Sequence, residues 1–289
     1  MKQVGLIGYP VAHSLSPQMH NAAFREIGFE AEYTLWETPP GTLAERVASL
    51  RASNMLGANV TIPYKEDVVP LLDECNALAA RIGAVNTVVN RNGKLVGYNT
   101  DAPGMIRALA ECPDYPFDAR DKETVILGTG GAARAAAVAL LDVGAKSVCI
   151  IGRNKARFEA LVQDLLVLSS KLQAGQTRID GALFNKLRAD SILQKADLVI
   201  NATSVGLKSK DDALLIDVNR LPVGSLVMDM VFNAGLTPLL QAAQAHGCFV
   251  MHGLSMLLYQ GTLAFELWTG RDAPVEVMRN ALGLKKDEL

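Results

Sequence analysis

The sequence predicts an α/β protein of two domains, an N-terminal α/β domain and a Rossmann-type domain built on a doubly wound parallel sheet. Three observations carry that prediction. Strand-like and helix-like segments alternate along the chain, with no internal repeat and no low-complexity stretch. Beyond residue 120 the strands are unbroken apolar runs, as expected of a sheet covered on both faces. Between the two blocks lies "ECPDYPFDARDKE", rich in proline and charge, which reads as a connector. The first domain is placed at 1–103 and the second at 104–253.

The elements of the first block follow from local pattern. "KQVGLIGY" reads as a strand, and Ser16 as the N-cap of a helix with Pro17 at its first position and a stop at Gly28. Then come "EYTLWE" as a strand, "TLAERVASLRA" as a helix and "GANVTI" as a strand. "GAVNTVVNRNGKLVGYNTD" holds two strands joined at Asn92-Gly93, a hairpin signal. Within "ANVTIPYK", Val60 and Ile62 are expected to pack inward while Asn59 and Thr61 point the other way. Pro63 ends that strand and starts the turn that delivers Lys65.

In the second block, "TVILGTGGAARAAAVALLDVGAKSVCIIGRN" is strand, glycine turn, alanine-rich helix and strand. Further strands are "ADLVINAT", "SLVMDMVF" and "CFVMHG", with "TPLLQAAQAHG" as a helix between the last two. The end of the chain reads as two helices broken at Gly270.

Composition narrows the function. A hydrophobic fraction of 49% with 20% charged residues is that of a folded globular chain. The formal charge of −2 gives no attraction to nucleic acid or anionic membranes, and no segment reaches a transmembrane length. The apolar N-terminal stretch is too short for a signal peptide. Cys75, Cys112, Cys149 and Cys248 are widely spaced, without a CxxC pair or a histidine cluster, so neither a disulfide framework nor a metal site is expected. A cytoplasmic location follows, in which the Asn59-Val60-Thr61 glycosylation pattern has no meaning.

Gly128-Thr129-Gly130-Gly131-Ala132-Ala133 fits G-x-G-x-x-G/A, follows a strand and opens a helix inside a βαβ unit. Gly128 permits the tight turn, Gly130 lets the backbone approach a pyrophosphate, and Ala133 lets the helix pack close. The helix start then faces the phosphates. An NAD site would place an acid about 20 residues on. Here the segment is Gly152-Arg153-Asn154-Lys155-Ala156-Arg157, three cations and no acid. These cations suit a 2′-phosphate and are misplaced as an ordinary helix start, whose dipole disfavours them. The expected cofactor is NADP.

The first block is unusually polar at its strand ends: Ser14, Ser16, Asn59, Thr61, Lys65, Asn86, Thr100 and Asp101. Buried groups of this kind are costly unless paired with each other or with a ligand. A carboxylated, polyhydroxylated small molecule would supply partners. NADP-dependent oxidation of an alcohol needs a general base at the hydroxyl, and a partly buried lysine with an orienting aspartate can serve. Lys65 and Asp101 are the candidates, a plain salt bridge being the bland alternative.

At this point "SLSP", "NVTIPYK", "GAVNTVV", "GYNTD", "GTGGAARA", "NATSVG" and "YQG", spread from residue 14 to about 261, together resemble the motifs of shikimate dehydrogenases. The resemblance implies a two-domain enzyme whose last helices, here 254–289, fold back on the N-terminal domain. It implies reversible reduction of 3-dehydroshikimate to shikimate with NADPH, in the pathway to aromatic amino acids. By matching motifs, Ser14 and Ser16 would hold the substrate carboxylate with Thr61 close by. Asn59, Asn86, Asp101 and Gln260 would bind ring hydroxyls, and Lys65 would be the acid–base group. The cofactor would lie against Gly128 to Ala133, Arg153, Asn154 and Arg157, with Gly253 facing the nicotinamide.

Some positions depart from the family pattern. Gly152 replaces a common asparagine, Leu207 a methionine, Phe232 a tyrosine and Ser255 a glycine. The ending "MLLYQG…LWTGRD" also resembles the quinate/shikimate branch, which uses an acid where Lys155 stands. A quinate/shikimate dehydrogenase is therefore the alternative within the class. A non-catalytic NADP-binding regulatory protein is the alternative outside it, disfavoured by the joint presence of Lys65 and Asp101. The expected partner is the small-molecule substrate, with no nucleic acid and no membrane, and a homodimer stays open.

Overall fold

The computed structural model describes residues 1–112, 115–171, 177–184, 186–206, 214–231 and 235–284. The chain forms two compact units, Met1–Gly104 with Leu257–Glu288, and Met105–Met256.

The first unit is a six-stranded mixed sheet. Its strands are β1 (Lys2–Gly8), β2 (Ala31–Glu37), β3 (Met55–Val60), β4 (Glu74–Cys75), β5 (Thr87–Arg91) and β6 (Lys94–Tyr98), in the order β2-β1-β3-β5-β6-β4. β1 runs parallel to β2 and β3, while β3, β5 and β6 are successively antiparallel. Asn92 (φ 54°) and Gly93 (φ 91°) close the β5–β6 hairpin, the two left-handed residues that a tight two-residue turn demands. Helix α1 (Ser16–Glu26) sends Phe24 against Phe265 of α9 (Leu254–Thr269), ring centroids 5.1 Å apart. On one face of the sheet Ile7, Val60, Val88 and Leu95 pack with Leu43 and Val47 of α2 (Leu43–Ser49). Asn76 caps α3 (Ala77–Ile82), its Oδ1 accepting the Ala79 N–H at 2.9 Å. Trp268 donates its indole N–H to Val88 O at 3.0 Å, against Gly57, where an added Cβ would strike that carbonyl. α10 (Val275–Ala281) packs on α1, and Gly270 (φ 67°) marks the break between α9 and α10.

Two expectations for this unit fail. Ser16 is not a cap: it is the first residue of α1, and Ser14 Oγ accepts the Ser16 N–H at 3.2 Å. A hydroxyl two residues before the helix does the local satisfying that the sequence assigned to Ser16. Ile62 does not pack inward; it is 55% exposed. The ladder ends at Val60, after which Thr61 N–H bonds Ile7 O and a turn closes from Tyr64 N–H to Thr61 O. Ile62 therefore lies beyond the alternation that would have buried it.

The second unit has six parallel strands in the order β12-β11-β10-β7-β8-β9. These are β7 (Glu123–Leu127), β8 (Ser147–Gly152), β9 (Arg178–Leu183), β10 (Leu198–Asn201), β11 (Leu226–Asp229) and β12 (Phe249–His252). The order reverses between β7 and β10, the switch point at which doubly wound folds bind ligands. Val125, Leu127, Val199 and Val227 pack with Ala189 and Leu193 of α7 (Lys186–Leu193) and with Leu239, Leu240 and Ala243 of α8 (Pro238–Ala245). Ala133, Ala136 and Leu140 of α5 (Gly131–Asp142) are fully buried. β9 was not anticipated, because "RIDGAL" carries neither an apolar run nor a clean alternation.

Candidate functional site

In the first unit three strand ends converge. Val60 N–H bonds Asn86 O, Asn86 N–H bonds Tyr98 O, and Val85 N–H bonds Lys65 O at 2.8 Å. These main-chain bonds bring the ends of β3, β5 and β6 together and pin the backbone of Lys65. Tyr64 beside it is buried, its hydroxyl on Thr38 O at 2.7 Å, so the neighbouring lysine is held by a fixed residue.

Lys65 Nζ lies 2.6 Å from Asp101 Oδ2, with side chains only 16% and 6% exposed. The other carboxylate oxygen of Asp101 accepts from Asn86 Nδ2 at 2.9 Å. Asp101 opens α4 (Asp101–Ala110), where the helix dipole favours a negative charge, and Asn99 Oδ1 accepts the Ala102 N–H of that first turn. Asn86 also donates to Thr100 Oγ1 at 2.9 Å and, more loosely, to Gln260 Oε1 at 3.3 Å. Gln260, on α9, donates to Leu257 O. Thr61 follows β3 and packs so tightly on Gly8 that a Cβ at Gly8 would collide with its methyl.

Both ends of the Asn59 amide are engaged inside the protein: Oδ1 accepts from Tyr33 OH at 2.8 Å, and Nδ2 donates to Asn86 O and Thr87 Oγ1. The register of β3 on β5 sets Asn59 opposite Thr87, which fixes this pairing. Tyr33, 1% exposed, was missed by sequence reading; as one aromatic in "EYTLWE" it looked like core. Ser14 and Ser16 lie together at the start of α1, with Oγ atoms 3.1 Å apart.

In the second unit the glycine turn joins β7 to α5. Gly128 has φ 120°, and a Cβ there would sit 3.0 Å from Ala202 O, so only glycine fits without strain. Gly130 precedes the helix, and no atom lies within 4 Å of where its Cβ would be; the approach to the backbone is open. Thr129, Gly131 and Ala132 are half-buried around that opening, while Ala133 is fully buried. Gly152 suits this turn too, since a side chain there would fall 2.7 Å from the Thr129 methyl.

α6 (Lys155–Lys171) begins with Asn154 Oδ1 accepting the Arg157 N–H at 3.0 Å, so the Asn154 side chain is employed as a helix cap. Arg153 and Arg157 are exposed, and among the described residues neither guanidinium has an ion-pair or hydrogen-bond partner. Lys155 faces Glu159 at 3.8 Å. Gly253 follows β12 with its α-carbon against Met230 O, where a Cβ would come within 2.7 Å.

A polar cluster at the ends of β10 and β11 was also missed. Asp229 is fully buried and accepts from Asn201 Nδ2, Val231 N–H and Thr237 Oγ1. Burial raises its carboxyl pKa, against the pull of these donors. Asn201 in turn accepts from the Thr203 N–H and hydroxyl, so the "NATSVG" loop is tied to the end of β10 by its own hydrogen bonds. A lone acid inside the apolar "SLVMDMVF" was the available signal. Ser255 is buried, and its hydroxyl has no partner among the described residues. Leu207 and Phe232 lie outside the described residues.

One unit thus presents a glycine turn and two exposed guanidiniums without a partner among the described residues, and the other a shielded lysine–carboxylate pair among polar groups. Together they define the class of dinucleotide-dependent oxidoreductases. Residues 6–88 match the family described as shikimate dehydrogenase substrate binding domain, and residues 253–282 the shikimate 5'-dehydrogenase C-terminal domain. The shikimate dehydrogenase (NADP(+)) of Desulforamulus reducens is 43% identical over 96% of this chain and 93% of its own length. That of Methanopyrus kandleri is 44% identical over 96% and 94%. The shikimate 5-dehydrogenase of Thermus thermophilus, solved with NADP(H) and shikimate, superposes with a TM-score of 0.85 at 35% identity, covering 98% of this chain and 99% of that one. The chain belongs to the shikimate dehydrogenase family.

Proposed function

We propose that this protein is an NADP-dependent shikimate dehydrogenase, interconverting shikimate and 3-dehydroshikimate, with Lys65 as its acid–base group. The observation that carries the reading is the Lys65–Asp101 pair, held by Asn86 and largely withdrawn from solvent. Relatives of this chain bear that activity in their names, and one was solved with both ligands.

Bound NADP⁺ supplies a hydride acceptor, and the residues present fit it. The open space where a Gly130 Cβ would stand suits a pyrophosphate at the N-terminus of α5, and the exposed guanidiniums of Arg153 and Arg157, without a partner among the described residues, suit a 2′-phosphate. Asn154 fixes the start of α6 that carries Arg157, and Gly253 offers backbone without a side chain. On the substrate side, Ser14 and Ser16 receive the carboxylate with Thr61 beside them. Gln260 and Asn86 reach ring hydroxyls by giving up their loose mutual contact of 3.3 Å. Asn59 supports that arrangement from behind.

As shikimate is oxidised, its reacting hydroxyl gives its proton to the Lys65 amine while hydride leaves the same carbon. In the reverse direction the Lys65 ammonium returns the proton to the carbonyl oxygen. Asp101 orients Lys65 throughout and accepts from a second substrate hydroxyl.

The test is purified protein with shikimate or quinate, each with NADP⁺ or NAD⁺, followed by reduced-cofactor absorbance. Shikimate with NADP⁺ is expected to be the best combination, and no absorbance rise with it refutes the reading. Lys65→Ala should lower kcat by about 10²–10⁴-fold while the shikimate Kd stays within a few fold. Lost binding with normal turnover contradicts the acid–base role.

A further inference from the structure

Gly104 stands inside α4, one turn after Asp101, at a position where glycine weakens a helix and alanine would strengthen it. Packing explains why a glycine is there. It is buried, and a Cβ at this position would come within 2.7 Å of the Gln260 nitrogen and 2.9 Å of its α- and β-carbons. These are main-chain atoms of α9 and the first carbon of its side chain, which no change of rotamer removes. Non-bonded carbon contacts settle at about 3.5–4.0 Å, so a methyl at 104 drives the two helices apart by about 0.7–1 Å. α4 and α9 therefore meet backbone to backbone here, between the residue that faces Lys65 and a residue expected on the substrate.

What that contact holds in place follows from hydrogen-bond chemistry. Leu257 O can only accept, so the Gln260 amide turns Nε2 to it at 2.8 Å and leaves Oε1 towards Asn86. Asn86 Nδ2 has two protons for three acceptors: Asp101 Oδ1 and Thr100 Oγ1 at 2.9 Å each, and Gln260 Oε1 at 3.3 Å. The two nearer acceptors take the protons. The Gln260 oxygen, on a residue only 8% exposed, is left short of a donor among the described residues. A ring hydroxyl of the substrate supplies that proton, provided Gln260 stays within reach of the Asn86–Asp101 pair.

We propose that Gly104 is a positioning residue for the substrate: by admitting the backbone of α9, it keeps Gln260 Oε1 close enough to the Asn86–Asp101 pair for one hydroxyl to meet both. This rests on the reading above that Gln260 and Asn86 reach ring hydroxyls. A shift of about 1 Å carries the 3.3 Å contact beyond hydrogen-bond range, and the hydroxyl can then satisfy one side or the other.

The test is Gly104→Ala, assayed with shikimate and NADP⁺. The shikimate KM is expected to rise about tenfold, the scale of one buried hydrogen bond, while the NADP⁺ KM and kcat stay within about threefold. A merely structural loss does not give that split, since partial unfolding lowers apparent kcat without moving one KM. Gly261→Ala is the control. A Cβ there meets the terminal methyl of Met19, the free end of a flexible side chain, and should leave the shikimate KM within about twofold. A Gln260→Ala background keeps the Cβ that the new methyl strikes and removes the amide, so Gly104→Ala should add no more than about twofold to it. Three results overturn the proposal: an unchanged shikimate KM in Gly104→Ala or a rise shared by NADP⁺, an equal rise in Gly261→Ala, or full additivity with Gln260→Ala. Should Gly104→Ala fail to fold, Gln260→Asn withdraws the amide by one methylene without touching α4. It must give the same selective rise, and its absence is equally fatal. Wild-type protein that does not oxidise shikimate removes the proposed function and this inference together; active wild type with unmoved variants removes this inference alone.

Discussion

His20 should make the protein lose stability on mild acidification, by an amount the structure sets. Its imidazole is fully buried on α1, between Tyr33, Phe265 and Trp268, and neither ring nitrogen has a partner among the described residues. Burial alone pushes its pKa down to about 3 from an ordinary 6.5. The folded value lies below the unfolded one, so between pH 6.5 and 3 the unfolded chain binds more protons at this site than the folded chain. Stability therefore rises with pH across that window, is fully present above 6.5, and is lost as pH falls towards 3. From pH 7.5 to 5.0 the unfolded imidazole gains about 1.5 pH units' worth of protonation free energy and the folded one almost none, a loss of about 2 kcal/mol. The perturbation is His20→Phe, which retains a flat ring against Tyr33 and removes the titration. Urea unfolding of both proteins at the two pH values isolates the term: wild type should lose about 2 kcal/mol more than the variant on acidification. Equal losses would mean that the unfolded chain gains no extra proton at this site, and the argument from burial would be wrong.

Other outcomes follow from the same geometry. Asp101→Asn keeps the shape but removes the charge that orients Lys65, and should reduce kcat about 10²-fold in steady-state assays; normal turnover would show that the pair is a mere salt bridge. Arg153→Asp should shift the ratio of kcat/KM for NADP⁺ over NAD⁺ about 10–100-fold towards NAD⁺, the scale of a charge-assisted hydrogen bond. An unchanged ratio would remove the exposed cations from the cofactor site. Gly128→Ala forces a Cβ onto φ 120° beside Ala202 O, and should cost about 1–3 kcal/mol in thermal melts while weakening NADP⁺ binding by titration. An unaffected melt would place the strain elsewhere.

Much of the fold was legible because its signals are local. Apolar runs gave β7, β8, β10 and β11, the glycine turn gave the start of α5, and Asn92-Gly93 gave the β5–β6 hairpin. What the sequence concealed depends on partners far away in the chain. Ser16 suits a cap by type, but the backbone makes it the first residue of α1, with Leu15 at the cap position and Ser14 Oγ accepting the Ser16 N–H. Ile62 continues an alternation that the sheet does not, because the last ladder bonds end near Thr61. Lys65, Asn86 and Asp101, which the structure brings together, stand out by their motifs, whereas Tyr33 is tied to Asn59, 26 residues on, by a hydroxyl that no motif marks. Nothing local reveals that the β3–β5 register sets Asn59 against Thr87.

The unit that carries Lys65 is assembled from both ends of the chain, and this has a consequence for biosynthesis. Asn86 and Gln260 meet although 174 residues separate them, and Val88 receives the indole of Trp268 from 180 residues away. Residues 105–256, by contrast, form an uninterrupted unit. On a ribosome the first hundred residues emerge with Phe24, His20 and the Val88 carbonyl of β5 still without their α9 partners, and wait through the synthesis of an entire second unit. Domains generally fold as they appear, N-terminal first; here the earliest-made part is the last to be completed, and the nascent chain is most exposed to misassociation during that interval.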